Sequence, residues 1–205
     1  MEQKDFLKII PDQETGTEIQ AEASVDLEDG NGAIIFYNAA KERLLNVNKW
    51  HHVAGIISAK FQAIDKTGKE VGRNVQKGDY LRVDIPGPGS VEGDGYDWVM
   101  IEELKEISGG DVQSIGFRVR PAANPLSDKN DVAHFYDDAA TSNFIVTRQG
   151  NKVTASIIDR NIKPNENTSA FTDKVRDIAV GIGAIGGFSK IQWKNLANGI
   201  VELKK

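Results

Sequence analysis

The last forty or so residues of the chain carry one periodic feature that restricts its folding more than any other. Stepping about 3.6 residues at a time from Phe171 visits Val175, Ile178, Ile182, Ile185, Ser189, Trp193, Leu196, Ile200 and Leu203, and only Ser189 interrupts the apolar series. The other side carries Asp173, Lys174, Asp177, Lys190, Lys194 and Asn198. The spacing predicts one amphipathic helix of about nine turns, entered after Pro164 with Thr168 or Ser169 as N-cap. A stripe of that length has to be buried against a broad apolar surface, so the rest of the chain must supply one.

The same stretch contains Gly181-x-Gly183-x-x-Gly186, the spacing of a dinucleotide-binding turn. That chemistry needs a strand before the glycines, a helix after them, and a second strand ending in Asp or Glu about 20 residues on. The chain ends at Lys205, before such a strand could form. Gly183 and Gly186, with Ala179, instead make a strip of small residues beside the apolar stripe, where a neighbouring backbone or a ligand can approach closely. No cofactor is expected.

Upstream the period changes. Residues 1–16 are polar, are broken by Pro11, and lack the apolar run of a signal peptide; they read as a loosely held arm. "TEIQAEASVDL" alternates Ile19, Ala21, Ala23, Val25 and Leu27 with polar residues, the pattern of a half-buried strand. Asp29 then stands as a cap before Ala33, Tyr37, Ala40, Leu44 and Val47 at helical spacing, with a second short helix around Val47 to Val53. From Ile56 the period is two: "IISAKFQAID", "GDYLRVDI", "YDWVMIEELKEI", "VQSIGFRVR" and "NFIVTRQGNKVTASIIDRN" read as strands. Gln149-Gly150-Asn151 makes a hairpin tip, and a long loop runs from Pro121 to Ser142. Strands joined by hairpins and bounded by helices predict an α+β fold. The expected architecture is a curved antiparallel sheet of about seven strands gripping a long C-terminal helix, with short helices after the first strand, in a single domain over residues 17–205.

This order resembles the helix-grip fold of the START and Bet v 1-like (SRPBCC) superfamily, and "NVNKWHHVAGI" stands where many members carry a tryptophan-bearing helix before the second strand. The resemblance covers about residues 17 to 203. It implies an internal cavity between sheet and terminal helix, used by family members for lipids, hormones, polyketides or other apolar molecules, and in some members for catalysis. Fold alone does not choose among these uses.

Composition removes several functions. A net charge of −5 argues against nucleic acid or an anionic membrane surface as partner. The absence of cysteine excludes disulfides, thiolate metal sites and Cys nucleophiles. No run of about 18 apolar residues is present to span a membrane, and a cytoplasmic location is the default expectation. His51 and His52 are adjacent, so they are expected on different sides of their element, where they cannot share a metal. "DKNDVAHFYDD" places Asp131, His134 and Asp138 at helical spacings of three and four, but it fails the calcium-loop pattern and reads as an acidic loop helix, with no metal expected. "DIPGPGSVEGDGYDW" lacks the Lys and Ser/Thr of a phosphate loop and reads as a rigid turn or a cavity mouth. No G-x-S-x-G nucleophile elbow occurs.

The expected function is therefore that of a non-enzymatic binding protein for a small apolar or amphipathic ligand, lipid-like or polyketide-like, compatible with an oligomer. Trp98, Phe117, Phe144, Ile182 and Ile185 would line its cavity, and His134 or Arg118 would orient the ligand. Two alternatives stand beside it. One is a cyclase- or hydrolase-like enzyme on the same scaffold using His52 or His134 as acid–base; the other is a structural module with a filled core.

Overall fold

In the computed structural model, residues 5–55, 59–85, 93–128, 131–165 and 181–203 are described, with side chains of the last stretch given from Ser189 onward. Within these residues the chain runs β1 (Thr17–Asp26), α1 (Gly30–Leu45), a 3-10 turn (Val47–Lys49), α2 (Trp50–Ala54), β2 (Lys60–Ile64), β3 (Tyr80–Asp84), β4 (Asp97–Gly109), β5 (Val112–Pro121), β6 (Thr141–Gln149), β7 (Lys152–Ile162) and α3 (Gly181–Ile200). The seven strands form one sheet in the order β1-β7-β6-β5-β4-β3-β2. Every pairing is antiparallel, and the sheet stays open with β1 and β2 at its edges.

Local chemistry explains where the helices start and stop. The Asp29 carboxylate accepts the Gly32 N–H at 2.7 Å and caps α1, whose Ala33, Tyr37, Ala40 and Leu44 are buried at the predicted spacing. Trp50 Nε1–H is shared between the Arg43 and Leu44 carbonyls at 3.2 and 3.1 Å, two of the acceptors that the end of α1 leaves free. Arg43 in turn donates to the Ile200 and Glu202 carbonyls at 2.8 and 2.7 Å, so α1 and the C-terminus of α3 stop each other.

The packing between α2 and α3 depends on Gly199. A Cβ there would stand 2.0 Å from the Val53 carbonyl oxygen, so only glycine lets the two backbones approach this closely.

The inner face of the sheet carries Val99 and Ile101, then Ile115, Phe117 and Val119, then Phe144 and Val146, then Val153, Ala155 and Ile157; all are buried in one core with Trp193, Leu196 and Ile200 of α3. Trp50 lies at its centre. Its ring meets Phe61 edge-on at 5.0 Å, stacks on Phe117 at 6.0 Å and leans on Phe144 at 4.8 Å; Trp193 closes the group against Phe144 at 5.3 Å. Burying side chains of this size contributes roughly 1.5–3 kcal/mol each, so this cluster is the main source of cohesion between sheet and helix.

Two expectations are modified. Residues 5–16 do not hang loose: Leu7 and Ile9 are buried against Ile145 on the outer face of the sheet, and Asn161 Oδ1 accepts the N–H groups of Glu14 and Thr15 at 2.7 and 3.0 Å. α3 ends at Ile200, which leaves Leu203 outside the helix and exposed. The start expected for it at Thr168 or Ser169 lies outside the described residues, as do the side chains of Ile182 and Ile185. Among the described residues no helix is long and apolar enough to cross a membrane.

Candidate functional site

Antiparallel pairing brings the start of β4, the end of β5, the start of β6 and the end of β7 to one end of the sheet. Residues 122–128 and 131–140 fold back across that end, held by main-chain bonds. The Trp98 N–H donates to Ala133 O at 2.8 Å, and the Asp137 N–H donates to Lys163 O at 3.0 Å. The Asn165 N–H donates to Phe135 O at 2.9 Å, while its side-chain amide reaches the His134 carbonyl at 3.1 Å. Tyr136 and Pro164 form a β-bridge, so this segment is extended. The helix expected there does not form, and Asp131 and Asp138 stay exposed while His134 turns inward. The three-and-four spacing gathers a face only on a helix, so these residues do not come together.

Beneath this connection the buried faces of the strands change from apolar to polar. On β7 the inward series Val153, Ala155, Ile157 continues in phase to Asp159, and on β6 the series Val146, Phe144 continues to Ser142. Asp159 and Ser142 are directly opposite in the β6–β7 register, two pairs beyond Phe144 and Ile157 and in the same phase. Together with His134, Tyr136, Val99 and Val119 they line a cavity of about 20 Å³, the room of roughly one water molecule.

The electrostatics of this cavity are unusual. Asp159 is 2% exposed; its Oδ2 accepts Trp193 Nε1–H at 2.8 Å, and its Oδ1 has no hydrogen-bond partner among the described residues. Burial pushes the carboxyl up to about 7, against the lowering influence of Ser142 and Trp193. The Tyr136 hydroxyl, beside Ser189, is likewise buried without a closed hydrogen bond, and burial pushes it up to about 12. His134 Nδ1 accepts the Tyr136 N–H at 2.9 Å, which leaves Nε2 as the protonated nitrogen of a neutral ring; burial pushes its pKa down to about 3. Asp97, buried where β4 begins, has its carboxyl raised to about 7 by desolvation although it accepts the Phe135 N–H at 3.2 Å.

The residues expected to bind ligand are divided by the structure. Phe117 and Phe144 face the interior together, packed in the aromatic cluster rather than around open space. Trp98 lies on the opposite face, in a separate cluster with Ile64 and Ala133, its Nε1–H donating to Gly93 O at 3.2 Å. Arg118 is also on the outer face, holding Glu102 at 2.8 Å and the Ile9 carbonyl of the N-terminal arm at 2.9 Å. Of the expected ligand residues whose side chains are described, only His134 reaches the polar cavity. Sequence reasoning missed Asp159, Tyr136 and Ser142. His51 and His52, expected to diverge, have ring centroids 3.8 Å apart, at the surface of α2. A second depression of about 540 Å³ lies between β1 and the end of α3, lined by Glu22, Ser24, Lys194 and Asn198. It is open to solvent, and Lys194 Nζ donates across it to Glu22 O at 3.1 Å.

One helix packed over an open seven-stranded antiparallel sheet, with two short helices after the first strand, defines a helix-grip fold, the arrangement of START and Bet v 1-like proteins. No family model matches the chain, and no curated protein matches it by sequence. Similar solved structures include a hypothetical protein of Helicobacter pylori, 10% identical, covering 89% of this chain and 87% of its own, with a TM-score of 0.48. Truncated norcoclaurine synthase from Thalictrum flavum is 8% identical over 95% of this chain and 100% of its own, with a TM-score of 0.35. A major latex-like protein from Panax ginseng is 14% identical over 83% and 99%, with a TM-score of 0.34. The last two are Bet v 1-like proteins.

Proposed function

We propose that the protein is a non-enzymatic carrier or receptor for a small amphipathic molecule, whose polar head enters the interior at the Asp159 end. The observation that carries this reading is a buried carboxyl and a buried phenol on one cavity, Asp159 and Tyr136, whose Oδ1 and Oη close no hydrogen bond although Ser142 and Ser189 stand beside them. Leaving such groups unpaired costs roughly 1–3 kcal/mol each, a cost that a bound polar head would remove. The aromatic cluster supports a head-first arrangement, because Phe117 and Phe144 already fill the middle of the interior.

An acid–base role for histidine finds less support. His134 is neutral with Nδ1 engaged, and His52 is exposed on α2, away from the polar cavity. The filled-core module is favoured by the aromatic packing alone.

Native mass spectrometry of the purified protein, followed by a denatured spectrum, tests the reading. A non-covalent adduct that disappears on denaturation supports a ligand and gives its mass. Absence of any adduct, together with no binding of 1-anilinonaphthalene-8-sulfonate, refutes the binder and favours the filled-core module.

A further inference from the structure

We propose that the polar end of the interior selects ligands whose head group is a protonated amine, with Asp159 as the recognition residue. This rests on the binding reading given above and specifies its ligand class. Among the cavity's described lining residues Asp159 is the one acidic side chain, and none is Lys or Arg. The neighbouring Arg160 is absent from the lining and pairs through one terminal nitrogen with Glu18, its Nε having no partner among the described residues. His134 cannot serve as the counter-ion while its Nδ1 accepts the Tyr136 N–H. Among the described residues the charge that would complement an ionised Asp159 is a cation's.

Size and hydrogen-bonding capacity agree with that charge. A volume of about 20 Å³ takes a head group no larger than a water or an ammonium, so the rest of the ligand must extend beyond the cavity. An ammonium brings three donors, to meet the two orphaned oxygens and the Ser142 hydroxyl. A hydroxyl head brings one donor and leaves the carboxylate's charge unmatched, and a carboxylate head meets like charge. The apolar wall of Val99, Val119 and Ile162 suits the first methylenes of a tail.

Three probes with one tail and different heads test this: hexylamine, 1-hexanol and hexanoate, titrated calorimetrically at pH 8, where Asp159 is ionised. The amine is expected to bind about tenfold or more tighter than the alcohol, the preference of a buried charge-assisted pair, with hexanoate weakest. Asp159→Asn, its fold checked by circular dichroism, should bring amine and alcohol to within about threefold of each other. Tyr136→Phe removes a hydroxyl but no charge, so it should weaken binding while keeping the amine preference. Equal binding of amine and alcohol by the unaltered protein, or an amine preference that survives Asp159→Asn, overturns the proposal. If none of the three probes binds while 1-anilinonaphthalene-8-sulfonate does, the amine proposal fails and the binding function stands. If nothing binds, the binding function itself fails.

Discussion

Replacing Asp159 with Asn removes a charge without changing shape, and its effect on stability should reverse the usual sign of a core substitution. The folded carboxyl keeps its proton up to about pH 7, whereas an ordinary Asp releases it near 3.8. Between those values the folded state holds more protons than the unfolded one, so this group makes stability fall as pH rises and reach its floor above about pH 8. At about 1.4 kcal/mol for each pH unit of that interval, the full penalty at pH 8 approaches roughly 4 kcal/mol. The Asn amide keeps an acceptor for Trp193 Nε1–H and costs roughly 1–3 kcal/mol of desolvation itself. The variant should therefore be more stable than the parent by roughly 1–3 kcal/mol at pH 8, a rise in Tm of about 3–8 °C. Between pH 8 and pH 5 this advantage should shrink by roughly 2–3 kcal/mol. Urea unfolding of both proteins at the two pH values isolates the effect, because Asp97 and His134 titrate in both. An Asn variant that is less stable at pH 8, or a difference that ignores pH, would show that the carboxylate is not an uncompensated buried charge.

His134 works in the opposite direction. Its pKa of about 3 lies below the ordinary 6.5, so the unfolded state takes up the proton first and stability is lost on acidification through that interval; His134→Gln should lose roughly 2–3 kcal/mol less than the parent between pH 7 and pH 4 in the same unfolding assay. Gly199→Ala forces a Cβ onto the Val53 carbonyl and should cost roughly 1–3 kcal/mol or more, read as a lower urea midpoint with an unchanged slope. Phe144→Ala empties the contact shared by Trp50, Phe117 and Trp193 and should cost roughly 3–5 kcal/mol by denaturant titration; a smaller loss would mean that the interior is not close-packed there.

Elements whose residues alternate or repeat without ambiguity were legible in the sequence. β6 and β7 follow from the runs on either side of Gly150, and α1 follows from Asp29 with Ala33, Tyr37, Ala40 and Leu44. β4 shows where the pattern gives out. Trp98, Val99 and Ile101 are all buried, because the outer face of the sheet is itself covered, so alternation alone does not tell which face looks at α3. Trp98 sits on that covered outer face, and Arg118, on the other side of β5 from Phe117, is taken up there by Glu102 and the N-terminal arm. The polar end had a signal that went unused. Extending the buried phase of β7 by two residues reaches Asp159, extending that of β6 by two reaches Ser142, and the single break in the helical stripe is Ser189. Each polar residue alone looks like a strand or helix losing its period; only the pairing register places Asp159 and Ser142 opposite each other.

The 122–140 connection links β5 to β6, which are adjacent and antiparallel. Two to five residues suffice to join such neighbours, so the topology does not account for its length. What the extra chain does is cover the polar end and deliver His134 and Tyr136 to it. Its position is fixed by main-chain bonds to Trp98, Lys163 and Asn165 rather than by the cavity side chains. The aromatic cluster, two pairs away along β6 and β7, holds sheet and helix together and meets the polar groups only where Trp193 Nε1–H donates to Asp159 among the described residues. The bulk of the cohesion and the buried polar groups thus lie on different residues. A buried, unmatched carboxylate can persist under that separation, because its cost of a few kcal/mol falls on a scaffold stabilised elsewhere, as is usual for strained or unsatisfied groups at binding sites.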